Sequence, residues 1–214
     1  MNNESKIPEG LAHSEDRLDE KTVSKSPFRQ FFHWMQDAMD NGIPEPETMF
    51  LATVGKNGKP SGRVVLLKEF DERGFVFYTN YLSRKGREIG ENPYVAAVLH
   101  WKELERQVRI TGKVNKISAT DSEIYFNSRN MESRINAVIS PQSSVIPDRR
   151  FLEIKRMELI VSNASEGIKR PDSWGGYRII PSEIEFWQGQ EFRLHDRILY
   201  TKIKSKWVIR RLAP

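Results

Sequence analysis

The chain of 214 residues contains no cysteine. That absence removes a disulfide framework, thiolate nucleophiles and every cysteine-ligated metal site, and it suits a reducing compartment. Long apolar runs are missing as well: nothing approaches the roughly 20 residues that cross a bilayer. The N-terminal stretch "MNNESKIPEGLAHSEDRLDEK" has no apolar core of the secretion-signal kind. The expectation is a soluble, cytoplasmic protein with no membrane partner. Neither a G-x-G-x-x-G fingerprint nor a Walker A loop occurs, which excludes two familiar phosphate-cradling turns. With four histidines and no H-E-x-x-H, no metal site is expected. No G-x-S-x-G elbow supports a serine triad. Charge of one sign is never massed, which argues against a nucleic-acid-binding tail.

What is present is a mild basic surplus, 34 Lys+Arg against 29 Asp+Glu for a net charge of +5. Such a surplus suits nucleic acid, an anionic surface or small phosphorylated ligands. Aromatic content of 10% is too high for a disordered chain. Residues 1–25 are polar and non-periodic and read as a mobile arm; residues 26–214 read as a single domain. "SPFRQFFHWMQDAMDNG" places Ser26 as N-cap, Pro27 at the first helical position and Gly42 as the stop. Short strands come next: "TMFLATV", a turn at Asn57-Gly58, "GRVVLLKEF" and "FVFYTNY". After a short helix at "LSRKGREIGENP" come the strands "YVAAVLHW" and "RQVRITGKVNKI". "SATDSEIYFNSRNMESRINAVIS" and "RRFLEIKRMELIVSNA" read as helices, and three strands close the chain. Strands joined by tight turns, with helices inserted singly, predict an α+β antiparallel barrel with its helices outside.

Five clusters point to anion or heterocycle binding. In "GRVVLLKEF", strand alternation puts Arg63 on one face and Lys68 on the other; the ordinary alternative is charged strand ends reaching solvent. Ser83, Arg84 and Lys85 begin a helix, where cations oppose the macrodipole unless an anion shares the site. Tyr125 and Arg129 are i,i+4 neighbours, with Ser133 as a possible cap of the next turn; a phosphate or a plain surface pair would suit them. Gln107 is polar in an apolar strand, as an edge residue or as an amide reading a ring. Last is "EFWQGQEFRLHDRILY", where strand periodicity would put Arg193, His195 and Arg197 on one face near Trp187. Three such groups repel one another unless something anionic lies there; a solvated turn is the alternative. Together the clusters exceed the needs of one ligand and suggest two phosphorylated ligands side by side.

"RVVLLKEFDERGFVFYTNYLSRKGREI", "WKELERQVRITG", "SWGGYRIIPSEIEFWQG" and "RLHDR" with a terminal "RLAP" resemble the pyridoxine/pyridoxamine 5′-phosphate oxidase family, in order from about residue 27 to the last residue. The resemblance implies a split β-barrel homodimer holding FMN at the subunit interface. It implies oxidation of pyridoxamine or pyridoxine 5′-phosphate to pyridoxal 5′-phosphate, with hydride passing from C4′ to flavin N5 and O₂ returning H₂O₂. By position, Arg63, Val64, Val65 and Leu66 would line the flavin ring and phosphate. Tyr78, Thr79, Ser83, Arg84 and Lys85 would hold ribityl and phosphate, and Gln107 the ring. Gln142, Ser143, Trp187 and Arg197 would complete the cofactor site, some from the partner subunit. Lys68, counted also with the cofactor-binding residues, would hold the substrate phosphate with Tyr125, Arg129 and Ser133. Arg193 and His195 would lie over the substrate ring as the catalytic pair.

The family's N-terminal Arg-x-x-Tyr lid has no counterpart in "NNESKIPEGL", and Asn130 and Asn136–Val138 stand where Pro and Gly-Ala-Trp are common. A sibling oxidase acting on another aromatic substrate, such as a phenazine precursor, is the nearest alternative. Further off are a non-catalytic flavin-binding split barrel and a basic barrel that binds RNA. The RNA reading needs surface aromatics, whereas these aromatics fall in strands that read as core.

Overall fold

The structure, a computed structural model, describes residues 17–162 and 167–214. Helix α1 (Pro27–Asp40) begins at Ser26 with Pro27 inside its first turn. It buries Phe28, Phe31, Trp34, Met35 and Ala38, the i, i+3, i+4 stripe of an amphipathic helix. Phe31 is fully buried and meets Phe70 and Phe75 edge-on at 4.7 and 5.0 Å. Trp34 meets Phe186 at 5.1 Å. This helix lies against the concave side of a nine-stranded sheet and fills it.

The strands are β1 (Thr48–Val54), β2 (Pro60–Leu66), β3 (Glu69–Asp71), β4 (Gly74–Asn80), β5 (Tyr94–Trp101), β6 (Arg106–Lys116), β7 (Trp174–Gln188), β8 (Asp196–Ile203) and β9 (Lys206–Arg211). Their order is β2-β1-β5-β6-β7-β4-β3, with β8 on β7 and β9 beyond it. All pairings are antiparallel. The 15-residue β7 organises the sheet. One edge pairs with β6; on the other, residues 174–179 pair with β4 and residues 183–188 with β8. The α+β antiparallel barrel expected from the strand pattern is what the chain forms.

"GRVVLLKEF" is not one strand. Leu67 N–H donates to Glu47 O, but Lys68 N–H donates to Val76 O, so the chain leaves β1 and crosses to β4. That corner brings the two ends of the sheet together, and it carries Lys68 off the strand whose face it was expected to share.

The remaining helices are α2 (Arg84–Glu91), α3 (Ala119–Ser128), α4 (Met131–Ile139) and α5 (Arg150–Ser162). The segment read as one helix from Ser118 onward is therefore two. Arg129 is extended (φ −74, ψ 151) and Asn130 caps α4, its side chain accepting from Ser133 N–H at 2.8 Å. An Asx cap competes with helix continuation, so Asn130 is the cap and Ser133 sits inside the first turn.

Residues 17–25 of the expected arm are anchored. Leu18 and Val23 are buried, and Tyr200 donates to Ser24 O at 2.7 Å. Residues 1–16, the rest of that arm and the stretch in which a lid was sought, lie outside the described residues. Among the described residues no helix is long and apolar enough to cross a membrane.

Phe31→Ala removes a ring held by three aromatic neighbours, so urea denaturation should show a loss of about 3–5 kcal/mol. A loss below about 1 kcal/mol would mean that α1 does not organise the core.

Candidate active site

The end of β2, the end of β4, α2, the α3–α4 break and the start of β7 surround a cleft of about 410 Å³. Ten residues expected at a cofactor or substrate site line it: Val64, Val65, Leu66, Lys68, Tyr78, Thr79, Lys85, Tyr125, Arg129 and Gln142.

Ser83 N-caps α2, accepting from Gly86 N–H at 3.2 Å, and is itself buried. The cap starts the helix so that Lys85 turns inward. Its ammonium donates to Thr79 Oγ1 and Gln142 Oε1, both at 3.1 Å. Both partners are neutral, and no described carboxylate neutralises it. Burial first, and then the charge of Arg63, depress its pKa from 10.5 to about 8. Arg63 is held by Leu51 O, Thr53 Oγ1 and Ser61 Oγ, with Glu88 Oε2 at 3.4 Å. Desolvation lowers the Arg63 pKa, opposed by Glu88. Burial alone would raise the Glu88 pKa, but hydrogen bonds from Ser61, Thr53 and Arg84 bring it down to about 2. Arg84 is turned away from the cleft toward Glu88, 2.8 Å off. The inner end of the cleft is thus a pocket with excess positive charge.

A second cation stands at the outer end. The Arg129 guanidinium lies 4.7 Å from the Trp174 ring centroid, and its buried Nη1 has no hydrogen-bond partner. Desolvation lowers its pKa. A buried guanidinium nitrogen without an acceptor is costly, and a phosphate oxygen would relieve it. Beneath it Tyr78 stacks on Tyr125 at 3.7 Å and on Trp174 at 5.5 Å. Tyr78 donates to Glu69 at 2.9 Å, and burial pushes its pKa up. Lys68 stands 3.8 Å from Glu47.

The other expected residues lie elsewhere. Gln107, Trp187 and Arg197 are successive cross-strand partners on β6, β7 and β8. The His195 ring is 4.7 Å from that of Trp187, and its Nδ1 accepts from Gln190 N–H at 3.1 Å. Arg193, His195 and Arg197 do not share a strand face, because residues 189–195 form a loop in which Phe192 and Arg193 have φ of 55 and 60. Nor do three uncompensated charges meet there: Arg197 Nε is 2.8 Å from Glu185 Oε1. Ser143, at φ 70, is exposed; Ser133 and Ser83 do not line the cleft.

Sequence reasoning missed Asn80, Asn136, Ala137, Ser140 and Trp174, which also line it. Trp174 carried a usable signal in "WGG". A Cβ on Gly175 would fall 2.2 Å from Tyr81 Oη and one on Gly176 2.4 Å from Ile117, so this strand start is tightly packed.

Residues 35–161 match the family model for pyridoxamine 5′-phosphate oxidase. Residues 174–214 match that for the pyridoxine 5′-phosphate oxidase C-terminal dimerisation region. A pyridoxine/pyridoxamine 5′-phosphate oxidase of Trichormus variabilis is 52% identical over 200 residues, 93% of this chain and 94% of its own. A protein of the same name from Burkholderia ambifaria is 51% identical over 207 residues, 95% and 96% of the two chains. Among solved structures, PhzG of Burkholderia lata in complex with tetrahydrophenazine-1-carboxylic acid superposes with a TM-score of 0.87 at 29% identity, covering 93% of this chain and 98% of that one. A pyridoxamine 5′-phosphate oxidase-related, FMN binding protein of Nostoc punctiforme shares the fold at a TM-score of 0.70 and 17% identity, covering 88% and 98% of the two chains.

The fold is a split barrel; the family match makes the chain an FMN flavoprotein of the oxidoreductase class, and the dimerisation region supports a homodimer. The chain belongs to the pyridoxamine 5′-phosphate oxidase family. Its cleft fits the cofactor on its own chemistry: a buried ammonium with no counter-charge, backed by the half-buried guanidinium of Arg63 that Glu88 neutralises, suits a phosphate dianion.

The depressed Lys85 pKa has a stability consequence. The unfolded chain keeps this proton up to about 10.5, whereas the ligand-free fold releases it near 8. Stability therefore rises with pH across that window, as the cost of the buried charge is relieved. Lys85→Met should make the ligand-free protein more stable at neutral pH and flatten this rise. Urea titrations at pH 7 and 10 test it, and an unchanged slope would show that Lys85 is not the group responsible.

Proposed function

We propose that this protein is an FMN-dependent oxidase that converts pyridoxamine 5′-phosphate or pyridoxine 5′-phosphate to pyridoxal 5′-phosphate. The observation that carries the reading is the pair of anion sites in one cleft. Lys85 has only neutral partners at one end, and Arg129 has an unsatisfied buried nitrogen at the other. One phosphorylated ligand would leave one of them uncompensated; a phosphorylated cofactor beside a phosphorylated substrate satisfies both.

In this reading Arg63 and Lys85 neutralise the FMN phosphate, Thr79 and Gln142 direct hydrogen bonds to it, and Ser83 and Arg84 shape the α2 start behind them. Val64, Val65 and Leu66 line the ring. Lys68, Tyr125 and Arg129 hold the substrate phosphate, and Ser133, expected beside them, stands outside the cleft in the first turn of α4. Bound there, FMN supplies a hydride acceptor that dioxygen reoxidises. Gln107, Ser143, Trp187, Arg193, His195 and Arg197 stand outside this chain's own cleft. Their placement is accounted for if each centre is completed across the homodimer, with residues of the β7–β8 loop closing the partner's cleft. Arg193 and His195 then position the substrate ring. The Gln190 N–H to His195 Nδ1 hydrogen bond fixes the direction of the imidazole. Orienting two flat rings in contact is the main catalytic contribution of such a site.

The likeness to PhzG supports a second reading, oxidation of a phenazine precursor. A carboxylate-bearing tricycle would satisfy Arg129 alone, whereas a phosphate dianion also uses Lys68 and Tyr125 beside it, which favours the first reading.

Anaerobic addition of pyridoxamine 5′-phosphate to the FMN-loaded protein should bleach the flavin band, whereas pyridoxamine lacking the phosphate should bleach it far more slowly. Bleaching by a dihydrophenazine carboxylic acid but not by pyridoxamine 5′-phosphate would reverse the assignment. Arg129→Met should raise KM for the phosphorylated substrate about ten- to a hundredfold, the value of a charged hydrogen bond, with FMN affinity unchanged.

A further inference from the structure

The loop between β7 and β8 carries Arg193 and His195 and is closed on itself by Gln190 N–H donating to His195 Nδ1 and Leu194 N–H donating to Glu191 O, both at 3.1 Å. Two of its non-glycine residues have left-handed backbone angles, Phe192 at φ 55 and Arg193 at φ 60, a conformation that persists only when surroundings impose it. Phe192 and Leu194 are exposed. The chain just past the loop is firmly held. Asp196, the residue after His195, has a side chain only 14% exposed with both oxygens engaged. Its Oδ1 accepts from Arg211 Nη1 at 2.5 Å and its Oδ2 from Leu18 N–H at 3.2 Å. Arg211 in turn donates from Nη2 to Leu18 O at 2.6 Å and from Nε to Glu20 Oε2 at 3.0 Å. Leu18 itself is buried in the core. Three segments remote in sequence, residues 18–20, Asp196 and Arg211, are thereby tied at one carboxylate.

We propose that Asp196 and Arg211 are positioning residues, forming a clamp through which the segment before α1 sets the direction of the Arg193–His195 loop. The inference rests on the proposed function, in which this loop faces substrate. Asp196 acts at the C-terminal end of the loop, directly after His195. The opposite end is fixed separately, by Gly189 N–H to Glu105 O at 2.8 Å. Arg197, on the far side of Asp196, has its own anchors: Glu185 at 2.8 Å, Ala213 O at 2.8 Å, and its carbonyl accepting from Leu212 N–H at 2.9 Å. The clamp therefore acts on residues 193 and 195 and leaves Arg197 in place. An ion pair with a buried, doubly bonded carboxylate resists substitution by a neutral isostere, because Asn offers an N–H₂ where Arg211 brings another donor.

The test compares Asp196→Asn, Arg211→Met and Arg211→Lys with the parent chain, each loaded with FMN. Two readouts are taken: anaerobic flavin reduction by pyridoxamine 5′-phosphate, and hydrogen–deuterium exchange of the peptide spanning residues 189–195. Asp196→Asn and Arg211→Met are expected to exchange faster in that peptide and to lose roughly ten- to a hundredfold in kcat/KM, the scale of a small misplacement of a positioned group. Their FMN affinity should stay within about twofold of the parent, given the independent anchors of Arg197. Arg211→Lys, which keeps one donor, should recover part of both losses. Unchanged exchange in Asp196→Asn overturns the clamp whatever the activity. Faster exchange with unchanged turnover overturns its positioning role. A parent chain that fails to reduce its flavin with this substrate fails the functional reading instead, and the exchange data then decide the clamp alone.

Discussion

An unneutralised cation in a protein interior is expensive, and this chain holds two at one cleft. Lys85 is buried with a hydroxyl and an amide for company; Arg129 is stacked on Trp174 with one nitrogen unsatisfied. Desolvation lowers the pKa of each. Such a state survives only if the scaffold is stable enough to impose it and a ligand relieves it. Carboxylates near the cleft are spent elsewhere: Glu88 on Arg63, Arg84 and two hydroxyls, and Glu69 on Tyr78. Negative charge is thereby left for a bound ligand to bring.

The scaffold's capacity to impose that strain comes from the closed sheet. Leu67 and Lys68 turn the chain from β1 to β4, so β2 and β4 face each other across the cleft. Helix α1 fills the concave side with aromatic side chains whose ring contacts run from Phe28 to Trp207. The same long β7 that begins at the cleft with Trp174 ends at Trp187, beside His195. One strand therefore links the cleft to the Trp187–His195 loop, which under the proposed function closes the partner's cleft, and a match to a dimerisation region covers it.

Much of this was legible in the sequence. The helical stripe of α1, the span of β1, the start of α2 at Ser83–Lys85 and the strands β5 and β6 come from local rules, in which each residue's neighbours in sequence are also its neighbours in space. The cationic character of the site was legible for the same reason, since Lys85 is set by its place in the first turn of α2. What went astray depended on a competing local bond or on distant partners. Asn130 breaks the 118–140 helix by capping a new one, and Lys68 leaves its strand because its N–H finds Val76 O.

The amino-acid sequence by itself determined the class of fold, the family and the identity of nearly every cation that lines the cleft, because periodicity and side-chain chemistry are properties of short stretches. Only the tertiary structure decided which of those cations lack a counter-charge. It alone showed that Arg197 is neutralised by Glu185 while Lys85 is not, and that Leu18 and Glu20 reach Asp196 and Arg211 beside the loop bearing His195. Charge compensation is a matter of distances between residues up to 193 positions apart, and no pattern along the chain encodes those distances.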